Sequence, residues 1–596
     1  MAFAFLDNLG EIGWVPDLPP GDLPLNAWTE TKNVKFTGTH MENVSGSSTF
    51  NDLSAKFDSV LGLGSTKQAG DQRWYAVGLV GTTAKVERFT SDPGSATVTP
   101  SSPLLIVAKG KQITGGTLDE TYILNTGNLG PTYAFPASGS AVELQYSSGV
   151  SLASKLKFSC VRPWRQHLWG LGVTVTGTVD SVPAGTYPRL LWASDAADPG
   201  FIPGNWQASN PASLSRNYVS PFINYSGDLV DLVPLDTNAI LYQENACHLM
   251  RYTGEFPALV SIGTLFTEFG LLAPNCAVQF RGQHIAFGFS DVILHNGQSA
   301  ESLLRSRVRR WLFRNISDVF YKNSFIVPNY QEKEIYICFP LLGQEYPTQA
   351  LVWNYEYNTF SVREFPSAIS CGAIGFQKSA GASVLYEPAV PSLVLAGFDG
   401  QMMRVGTGPG AFNAQAQAQT QSLLAVNVSD DNLLVNAVDL LGVGEGYLQD
   451  LVPFQCVAER QGFAFSAEDV APHTRTLIRE VWPELDGEFF LETEESADLA
   501  LNIAGDFLAV DNDDILSAAS AATIQKKGTV DIYIGGTELL ASEMRWQGPF
   551  EFTIGEDDFI PVLVEGRRHG IRIEWNNGAN VRVKRIGFDF EFIGRF

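Results

Sequence analysis

Carboxylates are the first candidates for chemistry in this sequence. Asp513 with Asp514, and Asp557 with Asp558, are adjacent pairs. Glycoside cleavage needs two carboxylates facing each other across a sugar. Neighbours on a strand point to opposite faces, so neither pair makes a dyad. Asp511, Asp513 and Asp514 in "DNDD" could offer oxygens to calcium, but the spaced ligands and distal glutamate of a calcium-binding loop are missing. A charged turn is expected there. Seven histidines never fall at HxxxH spacing, and six cysteines form no CxxC pair. There is no GxSxG elbow and no GxxxxGK[ST] loop. The sequence reads as a chain that is not an enzyme and has no metal or cofactor.

"WASDAADPGFIPGNW", Trp192 to Trp206, resembles the Asp-box of sialidases, but Ser194 and Asp195 are adjacent where that motif separates them. An Asx turn with Trp206 packed beneath it is the simpler expectation. In "VWNYEYNTF", Trp353, Tyr355 and Tyr357 alternate and so share a strand face. They could stack on a glycan or pack a sheet.

The elements that must hold these residues are strands. Hydrophobic residues make up 45% of 596, charged ones 17%, with 56 Gly and 31 Pro, so the chain folds and favours short strands cut by turns. Two or three domains are expected at this length. "MAFAFLDNLGEIGW" lacks a basic leader and is broken by Asp7 and Asn8, so no signal peptide is expected. No apolar run approaches the roughly 20 residues of a membrane span. The widely spaced cysteines suit buried, reduced thiols in a protein made in a cytoplasm.

Net charge is −24, and residues 430–514 hold 20 acidic against 3 basic side chains, a net of −17. Such a surface repels nucleic acid. Solubility of an exposed domain is the plainer use of the same charge.

Strand-like units recur every 40 to 50 residues from about 70 to 406, with tight turns expected at Arg281-Gly282, Ser290-Asp291 and Asp399-Gly400. The pattern predicts a mostly β chain. A β-propeller at 37–406 follows an extended N-terminal arm at 1–36; a pair of stacked sandwiches is the alternative. A linker at 407–429 leads to 430–596, the acidic segment with a C-terminal β-sandwich or platform. "SAESLLRSRVRRWLFRN" predicts a helix capped by Ser299, with Leu303, Leu304, Val308, Trp311 and Leu312 as its apolar stripe. Arg305, Arg307, Arg309, Arg310 and Arg314 cover its other faces, either solvated or meeting an acidic partner.

Several segments together resemble the tail nozzle proteins of short-tailed bacteriophages, also called tail tubular or packaged-DNA stabilisation proteins. "LPLNAWTETKNVKF" is similar to that family's opening motif, with Lys35 where the family commonly has Arg. "LNTGNLGPTYAF" and the Trp192, Asp195, Asp198, Pro199 and Trp206 element are similar to two further motifs. The hairpins of 240–298 and the closing "GRRHGIRIEW…IGFDFEFIGRF" complete the series.

The resemblance implies a structural virion protein in the phage tail, made in the bacterial host cytoplasm. It implies a homo-hexamer below the portal and adaptor proteins, near tail fibres or spikes. Double-stranded DNA would be its passing cargo, sealed in the head and conducted out. A receptor- or glycan-binding tail component is the alternative, and a glycan-degrading enzyme a weaker one. On this reading the arm contacts the adaptor or a neighbouring subunit through Leu23, Pro24, Trp28 and Phe36, unless Trp28 tucks into its own sheet. Glu492, Glu494, Glu495, Asp511, Asp513 and Asp514 then lie near the lumen or tip.

Overall fold

The computed structural model describes residues 2–407 and 455–594, apart from 69–70, 91–105, 111, 138–139, 199, 208–218, 222–226, 254–258, 377–390, 466–473, 490, 494–522, 526–527, 540–541 and 577–578. The chain is mostly β, and Arg309–Asn315 is the one α-helix among the described residues. It divides into two compact units, Ser47–Thr407 and a second built from Met1–Gly46 with Gly408–Phe596.

The larger unit is a succession of small antiparallel sheets, each made from consecutive strands. Ser59–Gln68, Asp71–Val80 and Thr83–Thr90 form the first sheet. Six four-stranded sheets follow, beginning with Thr114–Leu118, Leu156–Trp164, Leu229–Leu235, Ala277–Phe280, Phe325–Asn329 and Ile369–Gly375. The last is completed out of sequence by Gly46–Asp52, which joins Gln401–Thr407. The first strand of each sheet lies against the first strand of the next, and Ile369–Gly375 returns to Ser59–Gln68.

Hydrophobic clusters fill the spaces between neighbouring sheets. Trp74 and Phe57 meet Val394 and Met402; Ile123 meets Phe158 and Trp192; Leu191 meets Leu229 and Leu241; Phe325 meets Leu395. Strands buried on both faces read as continuous apolar runs, and Glu334–Cys338 and Gln349–Asn354 are buried throughout.

Turn chemistry sets the hairpins. Arg281 and Gly282 both take positive φ, 47° and 74°, as a two-residue hairpin turn requires. The predicted helix is shorter than its sequence pattern. Ser306 sits at φ 56°, which a helix cannot continue through, and Ala300–Ser302 is instead the fourth strand of a sheet. Leu304, Val308 and Leu312 are buried as the stripe required, while Arg305, Arg309, Arg310 and Arg314 are exposed.

In the smaller unit one sheet runs Ile560–Gly566, Arg475–Phe489, Ala579–Gly594, Met41–Asn43, Val34–Phe36, with Ala2–Leu6 also on Ala579–Gly594. The other runs Glu30–Lys32, Gln455–Phe463, Arg568–Asn576, Thr529–Thr537, Arg545–Thr553. Phe463 from one sheet meets Phe588 of the other. The expected arm at 1–36 is therefore not an arm. Its residues are too apolar to stay in water, and both sheets have an edge that accepts them.

Candidate functional site

No catalytic constellation emerges from the residues singled out above. Trp192 and Trp206 are fully buried; the Trp192 indole N–H donates to the Trp206 carbonyl at 2.9 Å, and Phe158 stacks on Trp206. Backbone bonds from Asp195 to Asn205 and from Trp206 to Tyr146 hold this loop against its sheet. Asp195 is half-buried, Asp198 is exposed, and Pro199 lies outside the described residues. The motif packs a core; it opens no site.

Leu23, Trp28 and Phe36, expected to contact a partner, are spent inside the smaller unit, and Pro24 alone of that set is exposed. The Trp28 indole N–H donates to the Leu9 carbonyl at 2.9 Å. The Thr29 hydroxyl donates to Glu459 O at 2.8 Å, and the buried Arg460 guanidinium donates to the Pro20 and Leu23 carbonyls. Tucking of Trp28 into its own sheet is the arrangement found.

The acidic stretch is not one surface. Glu459 is buried on Gln455–Phe463, facing Arg572 at 3.5 Å. Glu492 lies on Leu491–Thr493, which pairs with Thr523–Gln525. Glu494, Glu495, Asp511, Asp513 and Asp514 fall outside the described residues. In the aromatic run, Trp353 is buried and Tyr355 is packed between Phe280 and Arg281, leaving Tyr357 exposed. Tyr355–Asn358 is a turn, so the three do not share a strand face.

Sequence reasoning missed the most developed polar arrangement. Arg162 grips Asp231 with two parallel bonds, Nε to Oδ1 at 2.7 Å and Nη2 to Oδ2 at 2.8 Å. The same guanidinium donates to Gly115 O at 3.0 Å and Asn275 Oδ1 at 2.6 Å. Asn275 donates its backbone N–H to Asp231 and its amide to Gln112 Oε1, and Gln112 donates to Lys322 O. Five successive sheets are thus tied where their first strands begin or run. Burial would raise the Asp231 carboxyl, but the Arg162 charge and its hydrogen bonds hold it below the usual carboxylate range. A partial signal was present: Asp231 is the lone charge of an apolar strand, while Arg162 shares its strand with Lys157.

A second buried group is set by tautomer. His284 Nε2 lies 2.7 Å from the Pro234 carbonyl, which can only accept, so the proton sits there. Nδ1 then accepts from the Tyr242 hydroxyl at 2.8 Å, and His295 Nε2 donates to that hydroxyl at 2.7 Å. Burial pushes His284 down to about 4 and His295 to about 3. Both stay neutral at ordinary pH.

Among the described residues, no group of three or more His, Cys, Asp or Glu could hold a metal ion. No described helix is long and apolar enough to cross a membrane.

No family model matches the chain, and no curated protein does. Solved structures give distant likenesses. The CNH domain of AfRom2 is 10% identical with a TM-score of 0.30, over 61% of this chain and 97% of that one. The extracellular domain of the putative one component system BT4673 from B. thetaiotaomicron is 10% identical with a TM-score of 0.33, over 64% of this chain and 46% of that one. Likeness at this level assigns neither fold nor function.

Proposed function

We propose that this chain is a structural, non-catalytic part of a short-tailed phage tail, the nozzle. Seven of the larger unit's sheets act as blades of a β-propeller closed by Gly46–Asp52, and the smaller unit is a sandwich built from both ends of the chain. The observation that carries the reading is where the acidic stretch is inserted. Residues 486–514 contain ten carboxylates and no Lys or Arg. The ladder of Leu491–Thr493 with Thr523–Gln525 brings the ends of this insertion together between Arg475–Phe489 of one sheet and Thr529–Thr537 of the other. A segment of that charge suits a conduit that must pass DNA without binding it, because neutralising phosphates would release counterions and hold the cargo.

A scaffold role is also supported by four of the buried carboxylates. Glu87 faces Lys56, Asp231 faces Arg162, and Glu459 and Glu574 face Arg572. Each is engaged by a cation, as a structural charge requires and a catalytic acid does not.

Labelling purified particles with an antibody against residues 486–514 tests the proposal. Label at the tip of a short tail is the expected result. Particles without label, with the protein free in the lysate, would sink it.

A further inference from the structure

Ile560–Gly566, Arg475–Phe489, Ala579–Gly594 and Ala2–Leu6 present one face to the core and the other to solvent. A row of aromatic rings crosses the solvent face at right angles to the strands. Phe3 and Phe5 lean over Gly587, where an added Cβ would come within 3.0 Å of the Phe5 ring and 3.3 Å of the Phe3 ring. Trp482 is paired with Gly587 on the next strand, 6.0 Å from Phe3 between ring centroids. Phe559 stacks on Trp482 at 4.9 Å. These four rings are 36 to 51% exposed, and Leu563 beside them is 69% exposed. Together they leave on the order of 500 Å² of apolar surface in water, a patch of the size that marks a contact site.

The occupant follows from ring geometry and charge. A sugar needs open ring faces, yet Phe559 covers Trp482, and the Phe3 and Phe5 planes are inclined by 40°. Phosphates need free cations, yet Arg475, Arg479, Lys584 and Arg585 each pair with a carboxylate. The charges are ordered. Along Ala579–Gly594, Arg582, Lys584 and Arg585 precede Gly587, and Glu591 follows it beyond the buried Asp589. Along Arg475–Phe489 Glu484 and Asp486 sit beside the cations, while Arg475 and Arg479 flank the acidic end, where Glu480 accepts from the Trp482 indole N–H.

We propose that this face packs on the same face of a second copy, about a two-fold axis running along the aromatic row. That rotation stacks ring on ring and exchanges the two ends. Arg582, Lys584 and Arg585 then meet Glu591 of the other copy, and Glu484 and Asp486 meet its Arg475 and Arg479. The contact closes at two copies, unlike a head-to-tail ring contact, so it describes the free chain and does not depend on the tail reading.

Sedimentation velocity of the full chain over a wide concentration range is the test. A concentration-dependent dimer is expected, with Trp482→Ser and Leu563→Asp each weakening it by about tenfold or more. Phe5→Cys, near the axis, should form a disulfide between copies, while Ile593→Cys, away from it, should not. Near-ultraviolet circular dichroism shows whether each variant is folded. A monomer at every concentration overturns the proposal. So does a dimer untouched by Trp482→Ser and Leu563→Asp, or a monomer that uses this face for a different protein.

Discussion

The two units reach similar sheets by opposite routes. In Ser47–Thr407 nearly every strand pairs with its neighbour in sequence, and Gly46–Asp52 is the exception. In the smaller unit Ala2 pairs with Phe590 and Thr31 with Ala458. Local pairing closes short loops at little entropic cost, whereas distant pairing is reached late and reads weakly in sequence. The larger unit should therefore be autonomous and the smaller one dependent on both ends of the chain.

Deletion of residues 1–34 should break this contrast most severely. It removes strands from both sheets and strips Arg460 of its Pro20 and Leu23 carbonyl acceptors. Calorimetry should then show the smaller unit's transition lost and the larger one's retained. Survival of both transitions would return the segment to the status of an arm.

Asp231→Ala tests what the larger unit gains from its tie between sheets. It leaves the Arg162 charge without its partner and should cost about 3–5 kcal/mol in chemical denaturation. Asp231→Leu with Arg162→Met should recover most of that loss. An equal loss in the double variant would mean that the wider network matters more than the buried charge.

Acid should separate the units by a smaller margin. Burial lowers His167, His248, His284 and His295 in the larger unit, and lowers His569 to about 4 in the smaller. A depressed folded pKa means the unfolded chain binds protons first. Stability is complete above about pH 6.5 and falls as pH drops toward 4, by on the order of 3 kcal/mol for a histidine shifted to about 4. The larger unit's transition should shift further across that window, and His284→Gln should reduce its slope. Parallel shifts would deny the histidines this role.

The smallest effect is expected from Lys333→Ala. Lys333 and Glu356 form an exposed pair, and its loss should change stability by less than about 1 kcal/mol. A larger change would mean that the hairpin leans on surface charge more than on Ile335 and Trp353.

Sequence was informative where structure was local. Arg281-Gly282 and Asp399-Gly400 marked real hairpins, because positive φ or a tight reversal selects those residues. The stripe Leu304, Val308 and Leu312 was legible as buried, but the helix was drawn too long because a serine at positive φ leaves no periodic trace. The first 43 residues misled for a different reason. Strands of three residues, such as Glu30–Lys32 and Met41–Asn43, are too short to alternate visibly, and each has a partner hundreds of residues away. The Arg162–Asp231 pair was visible only as two charges in apolar strands, since nothing local says which distant charge answers which.

The pairing of Ala2–Leu6 with Ala579–Gly594 also sets a timetable. At about 5–20 residues per second, translation leaves the opening strands waiting from roughly half a minute to two minutes for their last partner. The larger unit can finish folding in that interval, while Phe3, Phe5 and Trp28 stay uncovered beside the ribosome. Premature termination after Thr407 would release a finished unit carrying an unpaired, aromatic leader, a form that chaperones and proteases would recognise first.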